Sequence, residues 1–375
     1  MKVPKGFLFS GISAEIKRSG KKDLGLILGS EGYLECAGYF TSNEVKAAPV
    51  ILDIEKLRKS QGRVKAVLVN SGNANCFTGK KGIDSANSSC NRLAFKLGVE
   101  DRFVLMSSTG IIGKRLPLSK IIRSLDNLIN SLSKDVYSFA ESILTTDTVK
   151  KISSKEIKLS KGEARILGTA KGSGMIYPDL KKATLLVFIF TDVKITRALL
   201  NKASKEALEM SFNSITVDGC TSTNDSLFFF SSNQSSSGLV NKQGRDFEIF
   251  SSALKEVCLD LAKKIVKDGE GAGKFITVEV KGVKNKQLAK KAAFAAANSS
   301  LLKTAVYGEN RNTGRIIQAL GQAGVSVPPG AKISISGLKS KNVRISVDLK
   351  QGNDSHIVYT SDLTPEYIRI NAEYS

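Results

Sequence analysis

Residues 171–192, KGSGMIYPDLKKATLLVFIFTD, carry the chain from a glycine-rich turn into an apolar run. The glycines at the start permit the tight backbone of a turn. The run TLLVFIF (184–190) is continuously hydrophobic, which predicts a buried strand. Ala183 and Thr184 form the junction, so a hydroxyl residue opens the strand directly after the smallest chiral residue.

Outside this stretch, strand-like runs alternate with helical patterns. RVKAVLVN (63–70) precedes a helical pattern at 84–98, and RFVLMSS (102–108) precedes another at 117–133. The alternation predicts an α/β or α+β class. The C-terminal region holds strand-like runs suited to an antiparallel sheet, namely AKISIS (331–336), NVRISVDLK (342–350), HIVYTSD (356–362) and YIRINAEY (367–374).

Length and composition describe an ordinary globular protein. The chain has 375 residues, 41% of them hydrophobic and 24% charged, which is enough for two core-forming lobes. No apolar run approaches the roughly 18–20 residues that a membrane span needs. The start, MKVPKGFLFS, has no small-residue cleavage site after its apolar patch, so we predict no signal peptide and a cytoplasmic location.

The charge balance is strongly basic, with 56 Lys and Arg against 35 Asp and Glu and a net charge of +21. Such a balance raises the possibility of nucleic-acid binding. The basic residues are scattered singly or in pairs, without an arginine-rich arm or interleaved aromatics. This pattern predicts a lysine-rich solvated surface, no nucleic-acid partner and compatibility with small anionic substrates.

The cysteine and histidine content argues against metal chemistry. The five cysteines are widely spaced, no Cys-x-x-Cys pair occurs, and His356 is the single histidine. This pattern predicts neither a disulfide framework nor a zinc site, and we expect no metal or other cofactor.

A threonine can act as a nucleophile if a base accepts its hydroxyl proton. The α-amine of an N-terminal threonine titrates near ~7.7–8, which suits proton transfer at neutral pH. Cleavage before Thr184 would create that base, and before cleavage the same hydroxyl could attack the Ala183 carbonyl. The alternative is an ordinary β-branched residue at a strand start.

Further motifs supply polar groups. Loops VNSGNANCFTG (69–79) and SSTGIIG (107–113) expose backbone N–H groups, and Thr109 with Gly110 could form an oxyanion hole. Each loop could equally be a turn that needs glycine. LTTDT (144–148) offers hydroxyls, Lys171 lies on a glycine loop where a cation can meet a carboxylate, and Glu270 lies between glycines where it could bind an amine.

Together these motifs resemble one family nearly end to end. The chain is similar to the ornithine acetyltransferase, or bifunctional glutamate N-acetyltransferase, family of the cyclic arginine-biosynthesis pathway. The matching segments include GISAEIK (11–17), AGYFTSNEVKAAPV (37–50), VNSGNAN, STGIIG, LTTDT, KGSGMIYP, ATLLVFIFTD, SFNSITVDGCTSTNDS (211–226), DGEGAGKFI (268–276), LLKTAVYGENRNTGR (301–315) and INAEY (370–374).

The resemblance implies a precursor that cuts itself between Ala183 and Thr184. Residues 1–183 would form an α chain and residues 184–375 a β chain, in an α2β2 heterotetramer. Family members transfer acetyl from N2-acetyl-L-ornithine to L-glutamate by a ping-pong route through an acetyl-threonine, without a cofactor, and some also accept acetyl-CoA. The implied fold is a layered α/β/α sandwich shared with certain self-processing aminopeptidases.

The resemblance also assigns residues. Thr184 is the implied nucleophile, and Thr109 with Gly110 is the implied oxyanion hole. The implied substrate pocket contains Thr145, Lys171, Thr184, Glu270, Asn371 and Ser375.

The sequence departs from the family pattern near the scissile bond. Pro178 and Thr184 are two residues further apart than usual, with Lys181 and Lys182 in the insertion, and the chain is one residue shorter after Asn371. Two alternatives therefore stay open. One is an aminopeptidase or amidohydrolase with an N-terminal threonine, and the other is an unprocessed basic binding protein on the same fold.

Overall fold

The computed structural model of the protein describes residues 2–177 and 185–373. The predictions for Ala183, Thr184 and Ser375 fall outside these residues. The described chain divides into two compact units. The first unit contains residues 2–172, 185–213 and 221–261, and the second contains residues 173–177, 214–220 and 262–373.

The first unit is built on two sheets. Its strands are β1 (Phe7–Ile12), β2 (Leu24–Gly29), β3 (Leu34–Phe40), β4 (Arg63–Val64), β5 (Ala66–Asn73), β6 (Val104–Ile111), β7 (Lys151–Leu159), β8 (Gly162–Lys171), β9 (Leu186–Thr191) and β10 (Ser226–Ser231). One sheet has the strand order β1-β2-β5-β6, and the other has the order β4-β3-β10-β9-β8-β7. Parallel and antiparallel pairs occur in both sheets.

An aromatic core lies between these sheets. Phe188 and Phe190 of β9 pair in register with Phe228 and Phe230 of β10, and the ring centroids are 5.9 and 6.0 Å apart. Phe9 of β1 meets Phe190 edge-on at 4.9 Å. Side chains two residues apart share one face of a strand, so alternate phenylalanines build this layer. The predicted buried strand is confirmed as β9.

Helices pack on the sheets of the first unit. Their bounds are α1 (Ala48–Lys59), α2 (Gly79–Leu97), α3 (Leu118–Asn130), α4 (Val136–Ser142), α5 (Arg197–Met210) and α6 (Arg245–Lys267), and the last residues of α6, 262–267, belong to the second unit. Phe139 of α4 lies in the aromatic core between the two sheets, with its ring 5.3 Å from that of Phe188. Leu93 of α2 and Leu125 of α3 share a core with Leu68 and Met106 of the first sheet. On the second sheet, Gly168 of β8 leaves room for α6. The predicted α/β class is confirmed, and the β layer consists of two facing sheets.

The second unit contains one sheet covered by helices. Its elements are β11 (Phe275–Val283), α7 (Lys286–Asn298), α8 (Ser300–Tyr307), α9 (Thr313–Gln322), β12 (Lys332–Ser336), β13 (Asn342–Asp348), β14 (Asp354–Ser361) and α10 (Pro365–Glu373). The strand order is β12-β13-β11-β14. The two outer pairs are antiparallel as expected, and the central pair β11–β13 is parallel.

The strand predicted at 367–374 is wrong, because these residues belong to helix α10 as far as Glu373. Thr364 accepts a hydrogen bond from the Tyr367 N–H at 3.3 Å, Pro365 opens the helix, and Arg369 pairs with Glu366. Capping and spacing of charges at i,i+3 therefore outweigh the alternating isoleucines. No helix within the described residues has the length and apolar character needed to cross a membrane.

Candidate active site

The ends of two parallel strands form the centre of the first unit's polar site. Gly110 of β6 pairs with Gly72 of β5, and Gly110 has a φ of +133°. A Cβ on Gly110 would lie 2.5 Å from the Asn73 nitrogen and closer still to the Gly72 carbonyl carbon. Only glycine fits this position, so the backbone of Thr109 and Gly110 is fixed by its neighbour strand.

The Thr109 side chain is available as a donor. Thr109 is partly buried at the end of β6. Across residues 2–177 and 185–373, its hydroxyl makes no hydrogen bond. A hydroxyl and a backbone N–H fixed side by side are the donors that an oxyanion hole requires. The role of the pair stays a prediction.

Asparagines hold the strand ends in place. Asn224 donates to the carbonyls of Ala74 at 2.6 Å and Ser108 at 2.8 Å. Ser108 in turn donates to Asn70 at 2.6 Å, and Asn70 donates to the Asn73 carbonyl at 2.9 Å. Buried amides that satisfy backbone carbonyls rigidify irregular backbone. The asparagines of VNSGNAN therefore shape the loop.

Asp147 is the centre of a buried charge network. Its side chain is fully buried and lies 2.6 Å from the Lys151 ammonium and 3.5 Å from the Lys171 ammonium. It also accepts from the backbone N–H groups of Gly172 at 2.6 Å and Thr145 at 3.1 Å. Burial alone would raise the pKa of Asp147, but Lys171, Lys151 and the hydrogen bonds hold it well below its usual range.

Lys17 joins this network to the strand ends. Its ammonium donates to the carbonyls of Lys22 at 2.9 Å and Leu144 at 2.7 Å. A Cβ on Gly72 would lie 3.0 Å from the Lys17 Cγ, so the lysine stem passes along Gly72. Burial lowers the pKa of Lys17 to about 8, although Asp23 opposes the change.

The first unit thus brings together four of the predicted site residues, namely Thr109, Gly110, Thr145 and Lys171. They are linked through Lys17 and Asp147, neither of which the sequence assigned a role. Lys17 ends the motif GISAEIK and Asp147 lies in LTTDT, so membership of a family motif is the signal that could have indicated them.

The second unit carries Glu270 and Asn371. The Asn371 amide donates to a Glu270 carboxylate oxygen at 2.9 Å, and the Glu270 N–H donates to the Ser173 carbonyl at 3.0 Å. A Cβ on Gly174 would overlap the Glu270 carboxylate, so KGSGM needs its second glycine here. Asn371 lies on the exposed helix α10.

Tyr367 and Asp218 are further polar residues of the second unit. Asp218 accepts from the backbone N–H groups of Met175 at 2.5 Å and Ile176 at 3.0 Å. The pKa of Tyr367 is raised to about 12, mainly by burial and further by the nearby Asp218, Cys220 and Glu270. The phenol therefore stays a neutral hydrogen-bond donor. Sequence patterns do not indicate Tyr367, because it lies in the segment that was predicted to be a strand.

The remaining predicted residues, Ala183, Thr184 and Ser375, lie outside the described part of the chain. Among the residues that are described, no three His, Cys, Asp or Glu side chains are grouped so as to hold a metal ion.

The fold and these polar groups define a mixed-sheet α/β protein with backbone donors at parallel strand ends and paired buried charges.

The family model described as the ArgJ family matches residues 8–338 and 331–375. The arginine biosynthesis bifunctional protein ArgJ of Thermotoga neapolitana is 40% identical, with all of both chains covered. That of Caldanaerobacter subterraneus is 39% identical, covering 100% of this chain and 98% of the relative.

A solved structure is also similar. Ornithine acetyltransferase of Mycobacterium tuberculosis, complexed with ornithine, is 33% identical over 48% of this chain and 94% of its own, with a TM-score of 0.42. The family model and the full-length relatives show that the chain belongs to the ArgJ family. The predicted family is confirmed, and with it the prediction of an acyltransferase of arginine biosynthesis.

Proposed function

We propose that the chain cuts itself between Ala183 and Thr184 and then transfers acetyl from N2-acetyl-L-ornithine to L-glutamate. The observation that carries the proposal is the fixed Thr109–Gly110 backbone with a donor hydroxyl at parallel strand ends. Acyl transfer develops negative charge on a carbonyl oxygen, and donors fixed in advance stabilise that charge. Membership of the ArgJ family supports the same reaction class.

In the processing step, the Thr184 hydroxyl oxygen attacks the Ala183 carbonyl carbon. The peptide C–N bond breaks, the hydroxyl proton passes to the nitrogen, and an ester joins Ala183 to Thr184. Water then hydrolyses the ester, giving a carboxylate on residue 183 and a free hydroxyl and α-amine on Thr184. The chain supplies its own base by this cleavage.

In the transfer step, the Thr184 α-amine takes the hydroxyl proton while the oxygen attacks the acetyl carbon of acetylornithine. The proton then leaves with ornithine, and the acetyl group remains on the threonine. The amine of glutamate then attacks the ester carbon, the bond from this carbon to the threonine oxygen breaks, and a proton passes from the glutamate nitrogen through the Thr184 α-amine to the threonine oxygen. N-acetylglutamate leaves, and the free hydroxyl is restored. The same oxyanion donors, Thr109 and Gly110, serve both halves of this ping-pong cycle.

The two substrates share an α-carboxylate and an acetyl site but end in opposite charges. We assign the α-carboxylate to Lys171, whose ammonium is held by Asp147 beside Gly172 and is largely buried. We assign the ornithine ammonium to Glu270, which Asn371 orients by its 2.9 Å hydrogen bond. Thr145 is proposed as a further substrate contact, and Ser375 stays a prediction.

The division into an α chain (1–183) and a β chain (184–375), the α2β2 assembly and the cytoplasmic location also stay predictions. Use of acetyl-CoA by this chain is a further proposal. It predicts that acetyl-CoA and glutamate yield N-acetylglutamate without acetylornithine.

Intact mass spectrometry and an acetyl-transfer assay on one preparation test the proposal. We expect two fragments, a new N-terminal Thr184 and stoichiometric formation of ornithine and N-acetylglutamate. Net release of acetate would instead support an amidohydrolase. A single 40.3 kDa chain with salt-sensitive nucleic-acid retention would support the binding-protein alternative. Thr184→Ala should stay uncut and inactive, and cleavage of this variant would refute the assigned nucleophile.

A further inference from the structure

The Glu270 loop, residues 268–274 (DGEGAGK), lies against the start of helix α10 within the second unit. Gly271 of this loop has a φ of +64°. A Cβ on Gly271 would overlap the backbone of Glu366 and Tyr367 in the first turn of the helix. Glycine is therefore needed here so that the loop backbone can meet the helix directly.

Hydrogen bonds hold the Glu270 loop from both sides. On one side, the Glu270 N–H donates to the Ser173 carbonyl at 3.0 Å. On the other side, one carboxylate oxygen of the buried Asp362 accepts from the N–H groups of Gly273 and Lys274, each at 2.9 Å. Because its backbone groups are paired in this way, the loop is a firm support for the helix that packs on it.

Thr364 joins the Glu270 loop to α10 through one hydroxyl. This residue is buried, with 6% of its surface exposed. Its hydroxyl donates to the Gly271 carbonyl at 2.7 Å and accepts from the Tyr367 N–H at 3.3 Å. A single oxygen thus caps the first turn of the helix and ties that turn to the residue after Glu270.

The helix returns to Glu270 one turn after Tyr367. The Asn371 amide donates to the Tyr367 carbonyl at 3.0 Å and to the Glu270 carboxylate at 2.9 Å. The contacts therefore form a closed ring that includes Glu270, Gly271, Thr364, Tyr367 and Asn371. In this ring the exposed Asn371 is directed by a helix whose start is fixed by the buried Thr364.

We propose that Thr364 is a positioning residue for the ornithine half-reaction. It holds α10 against the Glu270 loop so that the Asn371 amide meets the Glu270 carboxylate. The inference rests on the proposed function, in which Glu270 binds the ornithine ammonium. A carboxylate that is oriented in advance loses less conformational freedom when it binds a cation, so the hydroxyl of Thr364 favours binding of acetylornithine.

Thr364→Val tests this role because valine keeps the shape of threonine and forms neither hydrogen bond. In a ping-pong reaction, kcat/KM for each substrate reports its own half-reaction, so both values are measured. We expect Thr364→Val to lower kcat/KM for acetylornithine by about threefold to tenfold, because a buried hydrogen bond is lost and the Asn371 amide is displaced. The value for glutamate should stay that of the wild type. Thr364→Ser keeps the hydroxyl and should restore kcat/KM for acetylornithine.

A double-mutant cycle shows whether Thr364 acts through Asn371. In the Asn371→Ala chain the amide is absent, so Thr364→Val should cause no further loss of kcat/KM for acetylornithine. The matched control is Ser299→Ala, because Ser299 is a hydroxyl cap of α8 in the same unit and accepts from the Leu302 N–H at 3.2 Å. Its removal should lower the urea midpoint of unfolding, as Thr364→Val does, but leave both kcat/KM values unchanged.

Wild-type kinetics in Thr364→Val overturn the inference. Effects of Thr364→Val and Asn371→Ala that multiply independently overturn it as well, and so does an equal loss for both substrates or the same loss in Ser299→Ala. Failure of the proposed function is distinct, because Glu270→Gln would then leave kcat/KM for acetylornithine unchanged, and the inference would fall with it. If Thr364→Val does not fold, Thr364→Ala removes the same hydroxyl and replaces it in every comparison.

Discussion

The predicted site residues of the two units are held in different ways. In the first unit, glycine-only backbone fixes Thr109 and Gly110, and a fully buried Asp147 fixes Lys171. In the second unit, Asn371 lies on the exposed helix α10 and reaches Glu270 by one side-chain hydrogen bond. The first group is held by backbone and buried packing, and the second is held by one hydrogen bond from an exposed side chain.

This difference matches what the two substrates demand. Their acetyl and α-carboxylate groups are common to both half-reactions, so the residues assigned to them can be rigid. Their side-chain ends carry opposite charges, so a residue assigned to one end need not serve the other. We infer that Thr109, Gly110 and Lys171 serve both half-reactions, whereas Glu270 and Asn371 serve only the ornithine end.

The largest effect should come from breaking the buried network of the first unit. Asp147→Asn removes the fully buried carboxylate that pairs with the Lys151 and Lys171 ammonium groups, and we expect the free energy of unfolding to fall by about 3–5 kcal/mol. Urea unfolding measures this loss. The control is Asp126→Asn, because Asp126 pairs with Lys96 at 2.5 Å but is 72% exposed, and it should cost at most about 1 kcal/mol. Equal losses in both variants would contradict the buried network.

The next effect concerns the fixed oxyanion donor. Thr109→Val keeps the shape of the side chain but removes the hydroxyl, so we expect kcat to fall by about 10²–10³-fold. Thr109→Ser keeps the hydroxyl and should retain most of the activity. Steady-state kinetics of both variants provides the measurement. A Thr109→Val enzyme with kcat close to the wild type excludes this donor.

Acid titration should distinguish the two units. Burial and then Lys290 lower the pKa of His356, in the second unit, to about 4. The unfolded state therefore binds more protons below pH ~6.5, and stability falls between pH ~6.5 and 4, by about 1–3 kcal/mol after allowance for partial exposure. Asp147 has a depressed pKa, so its contribution is lost only below its unfolded pKa of ~3.9.

His356→Gln should flatten the loss of stability between pH 6.5 and 4 and leave the loss at lower pH unchanged. Urea unfolding at a series of pH values gives both slopes. If the free energy of unfolding of His356→Gln still falls as steeply between pH 6.5 and 4 as that of the wild type, groups other than His356 control stability in this range.

The smallest effect should come from loss of the hydrogen bond between Asn371 and Glu270. Asn371→Ala removes one hydrogen bond to Glu270, so we expect KM for acetylornithine to rise roughly threefold to tenfold. KM for glutamate should stay the same. Arg369→Gln, on the same helix but paired with Glu366, serves as the control. A parallel rise of both KM values would mean that Asn371 is not specific for the ornithine end.

Local patterns were sufficient to predict much of the fold. The continuous apolar run predicted β9, and the apolar runs before the glycine motifs predicted β5 and β6, although both strands continue through Gly72 and Gly110 to Asn73 and Ile111. Each of these features depends on residues close in sequence, where periodicity and backbone preference decide the outcome. Helix α10 was missed because Ile368 and Ile370 alternate as in a strand, whereas the cap at Thr364 decides the helix.

The residues that complete the site depend on contacts between distant segments. Lys17 binds the Leu144 carbonyl across 127 residues, and Asn224 binds the Ala74 carbonyl across 150. Composition and spacing in one sequence contain no record of which segments meet, so these residues required the structure.

The strand order of the six-stranded sheet has a consequence for the proposed cleavage between residues 183 and 184. Strands β3, β4, β7 and β8 precede the bond at residue 183, and β9 and β10, which follow it, lie between them. Breaking one covalent bond leaves these ladders intact, so the two fragments should separate only in denaturant. Once separated, they should recombine at a rate that depends on concentration, whereas an uncut chain should refold in a first-order reaction.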